Sequence, residues 1–507
     1  MFFVLDLSAE DDAQFCTKPK LEIISNNVFD RNEPGFFWLH QFANDIHIIT
    51  QEIAIRNALM AFDQCEENLD PYEMERYLRG LRYLREANVS KEKNHYKIQT
   101  WDNWTLQPNV SFGRKGNENQ WSLGISDDNI MGLGIGSSAK YQVDAERTGF
   151  EFSFNAPLNL FRPINTQIYL GKNDDGFKRG GVISSPFYSK NTPFAGEFSV
   201  NQEKKQFNVR KGHEVLAEEQ LNLNLAQVWF GWTSERKAIT DSVKRVRVGL
   251  SYESIEFSHN NESNYFNSRK SLYPWWEVEY YRDKFYKLRN IDSVNRNEDI
   301  NLGHRILMRI GYDLEESEED AKGVIFSGHL RHAFMSSKNW LFRLFVEART
   351  KQIKADRLQY LMRSIAEAFY TFHPYFTLYN QINVTTSRYQ FKDNPVTIGA
   401  GEGLIAYPSQ YAHGDSYYLL KSELRWNPNI SLIQLVDLSG AFFVGSGRII
   451  SPDEQITPPM HTIGFGIRFH SARSSSQSAV FLDFARPISK DSKLNQWDWR
   501  VKGKTQF

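Results

Sequence analysis

The chain has 507 residues, with 60 Lys plus Arg against 61 Asp plus Glu, so its net charge is −1 and no charge excess draws it to nucleic acid. A mean hydropathy of −0.53, with no apolar run of about 18 residues, excludes a helical membrane protein but not a membrane β-barrel, whose strands alternate and average to polar. The two cysteines, Cys16 and Cys65, exclude a disulfide framework and a cysteine-rich zinc site; in an oxidising compartment they could pair with each other.

Residues 1–17 read as a lead-in. Met1–Leu7 is apolar but short, contains Asp6 and lacks a basic start, so it is not a signal-peptide pattern. Leu21–Phe29 reads as extended. Thr50 is placed to cap a helix whose apolar residues are Ile53, Ala54, Ala58, Leu59 and Phe62. Asp70-Pro71-Tyr72-Glu73 is a helix start, with Asp70 as N-cap, Pro71 at the first helical position and Glu73 two further on. Met74, Tyr77, Leu78, Leu81 and Leu84 then recur at spacings of three and four. Arg76, Arg79, Arg82 and Arg85 take another face, read as solvated or as a lipid or partner contact. A second extended stretch covers Ala87–Gln99. The order β-α-α-β-β predicts a small α+β domain over residues 18–103.

From Trp104 the helical period gives way to alternation, as in Trp121–Ile125, Phe150–Phe154, Val246–Leu250 and Tyr375–Ile382. Turn signals include Ser126–Asn129, Asn173–Gly176 and Asn427-Pro428. Residues 354–369 could be a helical insertion or a misread pair of strands. An all-β run of this length must hide its edges, and without a repeat it reads as a closed barrel over residues 104–507. Aromatic pairs at Trp275-Trp276, Tyr280-Tyr281 and Tyr417-Tyr418 suit interfacial girdles. The final segment alternates up to Phe507, as a strand closing a barrel would.

These residues carry a resemblance. Asn27–Asp30, Asn44–Thr50, Ile55-Arg56 and Arg79–Leu84 look like one POTRA module. Trp101–Pro108 and Asn129–Gly132 look like its junction to a barrel and the first hairpin. Gly464–Arg468 and Leu482–Ala485 with Pro487 look like the last strands. Together they resemble the BamA/TamA family of outer-membrane proteins, from about residue 20 onward. The resemblance implies a 16-stranded antiparallel transmembrane barrel preceded by one periplasmic POTRA domain, or about 25 residues per strand and loop.

It also implies assembly or translocation of polypeptides in the bacterial outer membrane. The implied partners are outer-membrane lipid and an extended client added to an exposed POTRA edge at Ala87–Asn94. The implied seam joins the first and last strands, at Asn109, Val501, Gly503 and Phe507, where Gly503 weakens the last strand. The sixth extracellular loop of the family carries an Arg-Gly-Tyr/Phe element; the matching segment here is Gly399–Gly414, with Gly403, Ile405, Ala406, Tyr407 and Pro408. Ile405 replaces the arginine and Ala406 the glycine. The arginine's aspartate partner is matched by Gly445, within the wall segment Phe443–Gly447. Both halves of one ion pair are absent together. Removing one partner would strand a buried charge at about 3–5 kcal/mol, whereas removing both can be nearly neutral.

No nucleophile elbow, P-loop, HExxH or paired-cysteine metal site occurs, so no catalytic residue, metal or cofactor is assigned. Asp174-Asp175-Gly176 reads as a hairpin turn; His461 and His470 read as lumen or interface residues. The alternative to an assembly factor is a passive barrel, transporting a solute or lipid or serving as a scaffold.

Overall fold

The computed structural model describes residues 20–504, apart from segments 63–68, 93–94, 116–117, 144–146, 159–162, 212–213, 238–241, 259–264, 318–319, 355–356, 452–457, 474–478, 489–493 and 495–496. Cys16, Cys65 and Phe507 therefore lie outside the described residues.

The chain begins with β1 (Lys20–Asn26), α1 (Trp38–Ile46), α2 (Glu52–Leu59), α3 (Pro71–Arg79), β2 (Leu84–Glu92) and β3 (His95–Asp102). The sheet order is β1-β3-β2, with β1 parallel to β3 and β2 antiparallel to it. A parallel pair needs a crossover, and helices supply it. Asp70 caps α3 by accepting the Tyr72 N–H at 3.0 Å, with Pro71 at the first position. The period of α3 then turns Met74 and Leu78 into a core with Ile55, Leu59, Tyr96 and Ile98. Two expectations are corrected. Thr50 does not cap α2; Gln51 holds that position without a side-chain bond. Thr50 instead donates its N–H to buried Asp102 and accepts from Asn129 Nδ2 at 2.8 Å. The expected order β-α-α-β-β gains a helix, α1, while Ala87–Gln99 supplies the two final strands, β2 and β3, as that order required.

The rest is β. The strands are β4 (Gln107–Lys115), β5 (Glu118–Ile130), β6 (Ile135–Val143), β7 (Thr148–Pro157), β8 (Asn165–Asn173), β9 (Gly176–Ser185), β10 (Phe194–Lys211), β11 (Glu214–Lys237), β12 (Ser242–Ser258) and β13 (Arg269–Arg282). A hairpin, β14 (Phe285–Arg289) and β15 (Asn297–Asn301), precedes β16 (His304–Asp313), β17 (Asp320–Ser337), β18 (Trp340–Ile353), β19 (Arg357–His373) and β20 (Phe376–Arg388). A second hairpin, β21 (Val396–Ile398) and β22 (Ala412–Gly414), precedes β23 (Ser416–Leu432), β24 (Val436–Ile450), β25 (Met460–Ser471), β26 (Ala479–Ile488) and β27 (Asp498–Lys504). Among the described residues twenty strands close into one antiparallel barrel, β27 meeting β4, and the two hairpins form separate sheets that take no part in the wall. The expected sixteen is corrected to twenty. Short turns pack six strands into residues 107–185, which an even spacing of about 25 residues per strand does not allow.

Alternation sets the two faces. Phe150, Phe152, Val248, Leu250, Ile382, Phe465 and Ile467 are exposed on the outside, and such a belt needs hydrocarbon as its solvent. At the end near the N-terminal module, Phe334, Phe342, Trp340 and Tyr370 stack in series with centroids 4.5–5.5 Å apart. Of the expected girdle residues, Trp276 faces out, but Trp275 is buried on the lumen side beneath Arg309. Residues 354–369 contain no helix: β19 pairs in register with β18 and β20, and that pairing overrides helix propensity. Two expected turns are strand irregularities, between Asp127 and Ile130 and between Trp426 and Ile430. Pro428 lies in the second, where no ladder N–H is needed.

The module docks across one mouth of the barrel. Its contacts reach the β5–β6 turn, where Gln51 bonds the Met131 carbonyl, and the β23–β24 turn, where His40 Nε2 lies 2.8 Å from the Ile433 carbonyl. Arg473, after β25, bonds Glu33 at 2.7 Å. The arginines of α3 are not simply solvated. Arg79, 7% exposed in its side chain, forks onto Asp299 of β15 with two 3.0 Å bonds and also meets Glu75. Arg76 covers the Phe285 ring at 4.1 Å.

A charge reversal at Arg79, R79E, should weaken docking by about 2–5 kcal/mol. Combining it with Asp299→Arg should recover most of that loss, read as a double-mutant cycle of melting temperatures. Glu73 gives a pH test. Burial pushes its carboxyl above the ordinary 4.5, although it accepts the Lys190 N–H. The charged form is disfavoured in the fold, so its stabilising contribution is complete below 4.5 and is lost as pH rises through the raised value. Glu73→Gln keeps the acceptor; melting at neutral pH should not fall, and the pH slope should flatten.

Candidate functional site

The barrel wall is uneven. β10–β12 and β17–β20 run 13 to 24 residues, whereas the described β27 has 7 and β4 has 9. A membrane-crossing strand needs about 9–11 residues. β27 and β4 are hydrogen-bonded neighbours that close the barrel, and β4 matches β6 and β8 in length. Phe112 of β4 and Trp499 of β27 stack at 5.9 Å, nearly parallel, and bind the two edges by ring contact. Of the seam residues read from sequence, Asn109 lies on β4 and bonds Ser126 on β5. Val501 and Gly503 lie on β27, opposite Leu482 and Val480 of β26. The stacked pair was missed; both rings lie in alternating segments, but alternation does not tell which strands become neighbours.

The long connection between β20 and β23 folds against the inner wall. Val396, Ile398, Leu404 and Tyr407 form an apolar cluster with Tyr417, Leu419, Ile449, Met460 and Leu494. Gly399 is required by a close approach: a Cβ there would lie 2.3 Å from the Pro408 carbonyl. Ile405 is held by its carbonyl, which accepts from Thr462 Oγ1 at 2.8 Å, and Tyr407 donates its hydroxyl to the His461 carbonyl at 3.3 Å. The residue against Gly445 is Leu404, not Tyr407 or Ile405: a Cβ on Gly445 would meet Leu404 Cδ2 at 3.5 Å and Thr462 Cγ2 at 2.8 Å. A Cβ on Gly447 would meet Ile398 Cδ1 at 2.8 Å. Phe443 is buried below them, its ring against Gly464. The wall glycines are holes, and leucine and isoleucine fill them. Ala406 sits at φ +75°, a left-handed conformation that glycine adopts without strain.

The lumen is charged below this loop. Glu423 takes Lys421, Arg425 and Arg468 at 2.7, 2.8 and 3.2 Å. Across the barrel, Glu277 and Glu279 are tied to Arg247, Arg305 and Arg309. From the module end, the tip between β14 and β15 enters the same lumen. Ile291 packs with Leu341, Phe369 and Tyr379; Arg425 bonds its carbonyl, and Arg343 forks onto Asp292 at 2.6 and 2.9 Å. Thus the lumen is filled from both ends. The sequence held no sign of this hairpin, because a short polar hairpin looks like any long turn.

On the module, β2 forms one edge of the small sheet among the described residues. Arg79 and Lys287 lie near Glu86 at its start, and Asn88, Ser90, Lys91 and Glu92 are exposed beyond. Elsewhere, the turn at Asp174–Gly176 is clamped by Arg147 on Asp175 at 2.9 Å. His470 of β25 meets Ser439 at 3.1 Å, and among the described residues no cluster could hold a metal.

Ala406→Gly should relieve about 1 kcal/mol of left-handed strain and raise the melting temperature slightly. Gly445→Asp, which puts a carboxylate where Leu404 sits, should expel the loop, seen as faster proteolysis between residues 399 and 414.

No protein-family model matches the chain, and no curated protein matches it. In fold it is similar to solved outer-membrane barrels. The BamA of Haemophilus ducreyi lacking POTRA domains 1–3 is 11% identical with a TM-score of 0.42, over 90% of this chain and 82% of that one. CdiB from Escherichia coli is 11% identical with a TM-score of 0.48, over 96% and 76%. CdiB from Acinetobacter baumannii is 10% identical with a TM-score of 0.43, over 90% and 70%.

Proposed function

We propose that this chain is an outer-membrane barrel that assembles or secretes polypeptides, its N-terminal module acting as one POTRA domain in the periplasm. The observation that carries this reading is the short seam. A barrel built only to be stable gains from equal strands all round, yet here the closing pair, with 7 and 9 described residues, belongs to the low side of the wall together with β6 and β8 at 9. An extended client adds a strand to the open edge of β2 and is handed to the seam, where exposed backbone groups template it. Filling of the lumen by the loop at 396–414 and by the tip at 291–292 disfavours a passive solute path and directs traffic sideways.

The alternative is a passive scaffold. Its support is the loop contact, which rests on Leu404 and Ile398 in glycine holes rather than on the family's ion pair. The two readings part on the seam. With Cys16 and Cys65 changed to serine, Phe112→Cys and Trp499→Cys are linked by a short reducible bis-thiosulfonate. The readout is the folding rate of a urea-unfolded eight-stranded outer-membrane barrel added to liposomes that contain the protein. An assembly factor should lose its acceleration on linking and regain it on reduction; a scaffold should show the same rate linked and free.

A further inference from the structure

Helix α1 is inside out. Its polar residues His40 and Asn44 are buried, at 1% and 9% exposure, while Trp38, Phe42 and Ile46, on the opposite side, are 72%, 55% and 50% exposed. The buried face is bonded. His40 Nε2 lies 2.8 Å from the Ile433 carbonyl and its ring stacks on Phe29 at 4.4 Å. Asn44 exchanges two bonds with the Phe29 backbone, at 3.2 and 2.8 Å. The helix cannot roll over to hide its apolar stripe without breaking these contacts. Ile48, just beyond it, extends the stripe at 56% exposure. In water this arrangement is unfavourable, because it leaves apolar surface wet and polar groups desolvated.

We propose that α1 is an interfacial helix whose stripe lies in the leaflet on the module side of the membrane. The occupant follows from continuity with the barrel's apolar belt. The outward row of β23 runs through Leu420, Leu424 and Leu432, all exposed, to Ile433, itself 55% exposed, and α1 hangs from the Ile433 carbonyl. Tryptophan at the membrane boundary is the favoured anchor, and a short amphipathic helix with one apolar side lies in the interface plane. The segment before α1 is also tied to Arg473, which follows β25, so the anchor stands beside the last strands before the seam. This surface goes beyond the assembly reading and requires only that the barrel sits in a bilayer.

The test uses the full chain in phosphatidylethanolamine–phosphatidylglycerol liposomes, with Cys16 and Cys65 changed to serine. Single nitroxide labels are placed by W38C, F42C and I46C, with F465C on the outer barrel wall as lipid reference and E92C on the β2 edge as water reference. Collision with oxygen and with a nickel chelate is measured. Labels at 38, 42 and 46 should match the Phe465 reference, with an oxygen-to-nickel ratio several-fold above that at Glu92. A ratio equal to that at Glu92 would place the stripe in water and overturn the proposal. Labels shielded from both reagents would lie against protein, a second copy or residues 1–19, and would overturn it too. The two references keep a folding failure from passing as either result. Failure here leaves the seam test of assembly unaffected.

Discussion

Hydrocarbon contains nothing that can bond a peptide N–H or C=O, so every strand that crosses it must be paired on both sides. That constraint forces β27 to meet β4, and the proposed function turns on how firmly they meet. Tall strands such as β10–β12 hold each other over long registers. At the seam the described strands have 7 and 9 residues, and Phe112 stacks on Trp499. On the proposed reading, this closure is where an incoming strand would add to the wall.

The other contacts limit what else can open. Arg79 on Asp299 joins the module to the β14–β15 hairpin, whose tip is fastened inside the lumen by Arg343 and Arg425. The opposite end is filled by the loop that seats Leu404 and Ile398 in the holes at Gly445 and Gly447. These are two different kinds of lock. The module-side lock is ionic and responds to charge. The loop is held by shape and apolar contact, which salt screens little. With both in place the lumen is occupied from each end.

Much of this was legible in sequence because period 2 and period 3.6 are set by geometry. The core face of α3 and the alternating strands follow from that alone, and the Asp-Pro pair marks the cap at Asp70. What escaped depends on tertiary neighbours. Strand number failed because turn lengths vary, and β4–β9 are compact. Thr50 looked like a cap but serves Asp102 and Asn129 across the docking surface. Arg79 looked like solvated charge because its partner lies 220 residues away. Helix α1 was missed although Trp38, Phe42 and Ile46 recur every four residues, and that period cannot tell which side of a helix is buried. In loop six Ile405, Ala406 and Gly445 were matched by resemblance, and the side chain that meets Gly445 is that of Leu404, next to Ile405.

The most direct measurement of the weak seam is amide hydrogen exchange of the protein in lipid bilayers, resolved by peptide. If the seam opens, amides of β4 and β27 exchange orders of magnitude faster than those of β11 and β12, at a rate independent of the module's own unfolding. Equal protection of β27 and β11 would show a barrel closed alike all round, and would contradict the account.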